Sequence, residues 1–341
     1  MIGLIFRASH FGALPNLNDP KVQNCKQFNG KQFVNQGNVV MSMNSAKFKK
    51  LFPQLIKFGK KKRPPQKTKI SDKSKIKFAG ACGKDIQITW FGHSALMMDV
   101  NGKRILFDPM LSKYASPFPG FVKRFKNAIL FEDNDFDLLE KVDAVVISHD
   151  HYDHLDYQTI IKLDKITKKF YVTLGVDSHL IKWKIDANKI IVADWWDEFK
   201  QDYLKFICTP SQHFSGRRVE KNNNTLWASW LVQVNNKNIF FSGDTGYFDG
   251  FTKIKDKYGP IDLAMLECGQ YNELWKEIHM LPEHTVQAAI DLEANALLPI
   301  HNMAFSLALH SWFEPKERVQ KAAEKHGLKI IETVPGKSFN I

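Results

Sequence analysis

A short apolar run, Ala144–Ser148, leads straight into His149-Asp150-His151-Tyr152-Asp153-His154. Three histidines and an aspartate thus stand in an H-x-H-x-D-H frame where a buried strand would end. A turn leaving a strand end can aim several side chains into one cavity. Neutral imidazoles with a carboxylate are ligands for Zn2+, iron or manganese. Four such groups this close can hardly all serve one tetrahedral ion that keeps an open position, so two ions sharing the cluster is the natural alternative. A second ion needs ligands from elsewhere, which obliges the fold to bring other strand ends to the same place.

The chain offers such ends. Ile86–Phe91, Ala95–Val100 and Arg104–Phe107 read as strands, the latter two joined at Asn101-Gly102, a two-residue hairpin signal. Apolar runs recur at Phe170–Leu174, Ile190–Ala193, Phe206–Thr209, Leu263–Leu266 and Leu297–Ile300, and Leu226–Val234 pairs with Ile239–Ser242 across Asn235-Asn236. Helices are expected at His284–Ala294, behind Pro282-Glu283, and at Glu314–His326, which stops at Gly327. Strands that meander and then alternate with helices predict an α/β fold of two mixed β-sheets packed face to face, helices outside.

Three polar residues fall where these runs stop: His213, Asp244 within Ser242-Gly243-Asp244-Thr245-Gly246, and His301. They are the candidates to complete a two-metal site. Asp108, closing Arg104–Phe107, is a candidate to orient a ligating imidazole or else a turn residue before Pro109. His93 and His279 are candidates for contact with substrate or with the ligands. Arg217 and Arg218, just past His213, either reach a phosphate or sit in a solvated loop. His10, His179, His284 and His326 read as structural, and neither a G-x-S-x-G nor a P-loop sequence occurs.

The order H-x-H-x-D-H, then His213, then G-D-T-G, then Ile300-His301 resembles the metallo-β-lactamase superfamily of metal-dependent hydrolases. That resemblance implies an αββα sandwich with a dinuclear site. It implies one ion held by His149, His151 and His213, another by Asp153, His154 and His301, and Asp244 between them. Thr89–His93, Phe107-Asp108-Pro109, Lys123-Arg124-Phe125, Ser148–Tyr157, Trp195-Trp196, Thr209–His213, Asn224–Trp230 and Phe240–Tyr247 resemble the N-acylphosphatidylethanolamine-hydrolysing phospholipase D and its bacterial relatives. The likeness runs from Gln87 to Ile331. It implies a phosphodiesterase acting on N-acylphosphatidylethanolamine or a related glycerophospholipid. Water activated between two divalent ions, Zn2+ first and iron or manganese next, would be the nucleophile. A hydrolase of another ester, lactone or soluble phosphodiester on the same fold is the alternative. The chain departs from the vertebrate pattern at Ile278, before His279, and at Phe214-Ser215.

Composition narrows the class further. With 44% hydrophobic and 25% charged residues the chain is neither disordered nor fibrous. No run of 18 apolar residues exists to span a membrane. The four cysteines (Cys25, Cys82, Cys208, Cys268) form no C-x-x-C pair, and the apolar start lacks a basic n-region; both point to a reducing, cytoplasmic setting. The net charge of +12 is local: residues 47–77 hold 13 Lys/Arg and one acid, Asp72, leaving 35 basic and 35 acidic residues elsewhere. Residues 1–80 therefore read as a basic, mostly irregular N-terminal extension and 81–341 as the hydrolase domain. With Phe48, Leu51, Phe52, Leu55 and Ile56, the segment 47–77 suits an anionic membrane surface or an arm wrapped on the domain. No nucleic-acid partner is expected: 57 positions from Asp244 to His301 leave no room for the large insertion of RNA-processing members.

Overall fold

A strand whose odd and even positions are both apolar must bury both of its faces. The computed structural model, which describes residues 9–37, 39, 62–78, 85–118, 120–218 and 223–341, shows how this chain does so. Its strands are β1 Ile86–Gly92, β2 Ala95–Val100, β3 Lys103–Phe107, β4 Val142–Val146, β5 Thr167–Thr173, β6 Ile190–Ala193, β7 Glu198–Gln201, β8 Leu204–Thr209, β9 Ser229–Val234, β10 Lys237–Phe241, β11 Leu263–Glu267, β12 Leu297–Ile300 and β13 Ser338–Asn340. They form a seven-stranded sheet, order β13-β1-β2-β3-β4-β5-β6, and a six-stranded sheet, order β12-β11-β10-β9-β8-β7. Both are mixed: β3 to β6 run parallel, as do β10 to β12, while the meanders are antiparallel.

Side-chain alternation explains the layers. Met98, Ile105, Phe107, Ala144 and Val146 of one sheet meet Phe206, Trp230, Val232, Phe241 and Met265 of the other in the central core. The intervening residues face outward. Met97, Leu106, Val145 and Phe170 pack beneath α2 Asp133–Asp137, α3 Tyr157–Asp164 and α4 Asp177–Lys182. Ile207, Leu231, Phe240 and Leu266 pack beneath α5 Gly250–Tyr258, α6 Pro282–Asp291 and α7 Glu314–His326. This is the expected αββα sandwich.

Details follow local chemistry. Asn101 and Gly102 turn the β2–β3 hairpin at φ 49° and 72°, and Asn235 and Asn236 turn β9–β10 at 52° and 58°, in the left-handed region that such tight turns demand. Helix α6 starts two residues ahead of the expected His284 because Pro282 fits the first helical turn. Strand β4 begins two residues early. Its Asp143 is tolerated because Lys168 and the Arg104 backbone N–H satisfy the carboxylate.

The described part of residues 1–80 holds only α1 Pro20–Asn24 and single turns. It nonetheless packs on the sandwich: Val22, Cys25 and Phe33 join the central core, and Ile70 and Ile76 are buried. Asn127 Nδ2 donates to the carbonyls of Pro65 and Gln66, which holds the 62–69 stretch against the domain. Phe48 to Ile56 and Cys82 lie outside the described residues. Among the described residues no helix is long and apolar enough to cross a membrane.

Candidate metal centre

Strands β1, β3 and β4 run in one direction, as do β8, β10, β11 and β12. Every candidate ligand follows the C-terminal end of one of them. His93 leaves β1, Asp108 leaves β3 and the 149–154 loop follows β4. His213 follows β8, Asp244 follows β10 and His301 follows β12. The two sheets thus deliver their strand ends to one edge of the sandwich.

The seven expected ligands converge there. His149 Nε2 lies 2.9 Å from His151 Nδ1, and His213 Nε2 lies 3.3 Å from that same atom. Asp244 sits between two groups: its Oδ2 is 3.1 Å from His154 Nε2, 3.7 Å from His213 Nε2 and 3.9 Å from His149 Nε2, while Oδ1 is 3.0 Å from His301 Nδ1. Asp153 Oδ2 is 3.5 Å from His154 Nε2. Three four-residue sets result: His149–His151–His213–Asp244, His93–Asp153–His154–His301 and, sharing members with both, Asp244–Glu267–His279–His301.

Outer hydrogen bonds fix which nitrogen of each ring is bare. Asp108 Oδ2 accepts from His154 Nδ1 at 2.6 Å and from Ser148 Oγ at 2.5 Å, and Oδ1 accepts from Ser148 N at 2.7 Å. Ser148 Oγ, its proton given to Asp108, accepts from His149 Nδ1 at 2.9 Å. His213 Nδ1 donates to the Ile278 carbonyl at 2.9 Å. Each of these three rings therefore turns its Nε2 inward, the nitrogen that carries the lone pair when the ring is neutral. Asp108 stands at φ 36° before Pro109, so the turn role and the orienting role fall on one residue.

The arrangement fits cations rather than hydrogen bonds. His151 has at most one proton to offer at Nδ1 and faces two lone pairs. His154 Nε2 and His301 Nε2 are buried without a hydrogen-bond partner among the described residues, although Asp244 Oδ2 is in contact with the former. Burial holds His149, His151 and His213 below the usual imidazole range, so they are neutral and ready to ligate. Burial also opposes a charge on His154, but Asp244, Asp153 and Asp108 outweigh it and raise that ring well above its ordinary value, so a cation bound there would displace a proton from Nε2. Two buried carboxylates, Asp108 and Asp244, and the half-buried Asp153 call for positive charge at the centre.

The remaining candidates take distinct places. His93, fully buried, bonds Asp153 Oδ2 through Nε2 at 2.8 Å and packs on the His301 ring at 4.1 Å. Burial, with His301 next, drives it down to about 3, so it is a neutral prop for Asp153. His279, half-buried like His151 and Asp153, packs its ring on His213 at 5.0 Å and on His301 at 5.3 Å, while Phe214 covers His151. Arg217 neither reaches toward a phosphate nor sits solvated. It is buried, donates to the carbonyls of Asp150, Leu155 and His10, and lies over Tyr152 at 4.0 Å. Its fork is spent on holding the 149–155 loop in shape.

Two residues escaped the sequence reading. Glu267 ends β11 and is fully buried; Oε2 is 3.0 Å from His279 Nδ1 and Oε1 accepts from Met280 N at 2.8 Å. Burial works against charge on His279, but Glu267 prevails and raises it to about 9, a cation at neutral pH. Asn35 bridges from the N-terminal segment, its Nδ2 donating to the His213 carbonyl and its Oδ1 accepting from the His213 N–H. Glu267 obeyed the rule that found the others, a polar residue where an apolar run stops. Asn35 gave no such signal.

The chain is similar to known proteins in sequence and fold. A Beta-lactamase superfamily domain profile matches residues 103–302. An uncharacterized protein of Mycobacterium tuberculosis is 40% identical over 257 residues, 74% of this chain and 68% of that protein. The N-acyl-phosphatidylethanolamine-hydrolyzing phospholipase D 1 of Caenorhabditis elegans is 30% identical over 249 residues, 68% of each chain. Among solved structures, a metallo hydrolase of the archaeon Ignicoccus hospitalis superposes with a TM-score of 0.56 at 23% identity, over 76% of this chain and 99% of that one. At that identity the likeness bears on fold alone.

Proposed function

Because this chain belongs to the beta-lactamase superfamily and is a metal-dependent hydrolase of that fold, with an N-acylphosphatidylethanolamine-hydrolysing phospholipase D among its homologues, we propose that it cleaves the head-group phosphodiester of a glycerophospholipid. N-acylphosphatidylethanolamine is the first candidate substrate. The observation that carries the reading is Asp244, a buried carboxylate lodged between two imidazole-rich sets whose half-buried members are His151 and Asp153.

His149, His151 and His213 would hold one divalent cation, and Asp153, His154 and His301 the other, with Asp244 shared. Nitrogen and oxygen ligands of this kind suit Zn2+, or iron or manganese. Bound there, such ions would acidify a water and neutralise phosphoryl oxygens. The chain's own contribution is orientation. Asp108, Ser148 and the Ile278 carbonyl keep the inward nitrogens bare, and His93 fixes Asp153. His279, charged through Glu267 and half-buried, can donate a hydrogen bond to an anionic phosphoryl oxygen or to the departing head-group oxygen.

The test is mass spectrometry of N-acylphosphatidylethanolamine in mixed micelles, in 18O water, with the full chain loaded with Zn2+. Release of phosphatidate carrying one 18O, with the N-acylethanolamine unlabelled, supports the proposal. Turnover of a soluble lactone or carboxylic ester without phospholipid cleavage would overturn it in favour of another hydrolase on the same fold.

A further inference from the structure

From Pro109 to Phe131 the chain carries Lys113, Lys123, Arg124 and Lys126 and no acidic residue. This stretch folds back on itself: Ala115 N donates to the Val122 carbonyl at 3.0 Å and Arg124 N to the Lys113 carbonyl at 3.0 Å. A narrow ribbon results, with Phe118 and Phe121 at its tip, 45% and 67% exposed. Lone exposed apolar residues need no explanation, but two phenylalanines 6.3 Å apart on a supported tip do.

The support is buried. Arg124 donates to the carbonyls of Met110 and Ser112 and lies over the Phe305 ring at 4.6 Å, and Phe125 N donates to the Ala304 carbonyl. Phe305 in turn packs against His93, and Phe118 packs on Phe11, which meets Tyr152 between His151 and Asp153. The ribbon is therefore anchored beside the metal centre.

Charge surrounds the tip without interleaving it. Lys113 and Lys126 are exposed at the base of the ribbon. Arg63, Lys123, Arg124 and Lys126 line a cavity of about 260 Å³, room for a phosphate group. Among the described residues, Arg63, Lys113, Lys123 and Lys126 make no ion pair with a carboxylate. Apolar tip outward and cations one layer behind is the depth order of a bilayer, acyl chains under phosphates. A phenylalanine tip has no hydrogen-bonding edge with which to read a base.

We propose that the 113–126 ribbon and the adjoining Arg63 dock the protein on an anionic phospholipid bilayer. Phe118 and Phe121 enter the head-group boundary, and the lysines and Arg63 meet lipid phosphates, one of them seated in the cavity. The proposal deepens the phospholipid reading and rests on it for the choice of occupant.

Co-sedimentation of the full chain with vesicles tests it, comparing pure phosphatidylcholine with phosphatidylcholine containing 30 mol% phosphatidylglycerol (roughly the charge that anionic leaflets carry). Binding to the anionic vesicles should fall at least about tenfold in Phe118→Ser/Phe121→Ser and in Lys113→Glu/Lys123→Glu/Lys126→Glu, with melting unchanged. A single Phe121→Ser, at the most exposed position, serves if the double variant folds poorly. Binding unaltered by these changes, or lost only when the lysines of 47–61 are reversed, overturns the proposal. So does tighter binding to a fluorescent single-stranded oligonucleotide than to vesicles. Cleavage of micellar lipid without vesicle docking defeats this inference alone. Docking without cleavage defeats the substrate reading alone.

Discussion

Replacing Asp108 by Asn isolates a charge without disturbing a backbone. Asp108 sits at φ 36°, and Asn accepts such left-handed geometry as readily as Asp, so the turn into Pro109 survives. The carboxylate accepts three hydrogen bonds, from Ser148 N at 2.7 Å, Ser148 Oγ at 2.5 Å and His154 Nδ1 at 2.6 Å. A carboxamide has one acceptor oxygen and two N–H donors. If its oxygen stays on Ser148 N, the amide group confronts Ser148 Oγ and His154 Nδ1 with protons. His154 must then shift its own proton to Nε2, the nitrogen 3.1 Å from Asp244. Losing a bond to a charged acceptor costs about 1.5–3 kcal/mol, or roughly 10- to 150-fold in an equilibrium constant. Metal-orienting partners elsewhere contribute ~10- to 100-fold in affinity, so the two estimates agree. Chelator competition on Asp108→Asn should show one of two Zn2+ ions bound about 10- to 100-fold more weakly, with the far-ultraviolet circular dichroism spectrum unchanged. Affinity within twofold of the parent would refute the orienting role and leave Asp108 a turn residue.

Three further expectations follow from neighbouring geometry. Gly243 stands at φ 56° with an added Cβ only 2.5 Å from Ser148 Cβ, so Gly243→Ala must displace Ser148; urea melts should show a loss of about 1–3 kcal/mol together with weakened metal binding, and an unchanged pair of values contradicts the packing described. In Glu267→Gln the His279 ring loses the partner that holds it at about 9, so the alkaline limb of kcat/KM should move to lower pH while metal content stays constant; an unmoved limb would mean that the pair plays no part in turnover. His179 is held neutral by burial, its Nδ1 accepting from Ala13 N and its Nε2 facing Asp150, so the unfolded chain takes up a proton below its ordinary value of 6.5 that the native state refuses. Stability should therefore fall as pH drops from 7 to 5, by up to about 1.4 kcal/mol per pH unit for this group, and His179→Gln should flatten the slope in the same buffer.

What the sequence discloses depends on how a residue's role is encoded. Strands buried on both faces become continuous apolar runs, so their existence was legible, and so was the rule that chemistry sits where those runs stop. That rule located all seven groups now seen within one cluster. It also applied to Glu267, whose run Leu263–Leu266 was legible while the carboxylate next to it was passed over, because its partner His279 lies on a loop 12 residues away. Edge strands β7 and β13 escaped because their alternation is short and half-exposed. The N-terminal segment was opaque for a different reason: Phe11, Val22 and Phe33 belong to no apolar run of strand or helix period, and only the tertiary structure gives them a core to enter. Arg217, by its position after His213, read as either a phosphate contact or a solvated loop residue, and it is neither because its three carbonyl acceptors come from segments that no local pattern connects.

Metal content measures the central claim most directly. Protein purified without chelator, counted by inductively coupled plasma mass spectrometry, should carry two divalent ions per chain. Asp244→Ala should lose at least one of them, and His301→Ala the one shared with Asp153 and His154. Two ions retained in both variants, or none in a folded parent protein supplied with Zn2+, iron and manganese, would contradict a dinuclear centre at this edge of the sandwich.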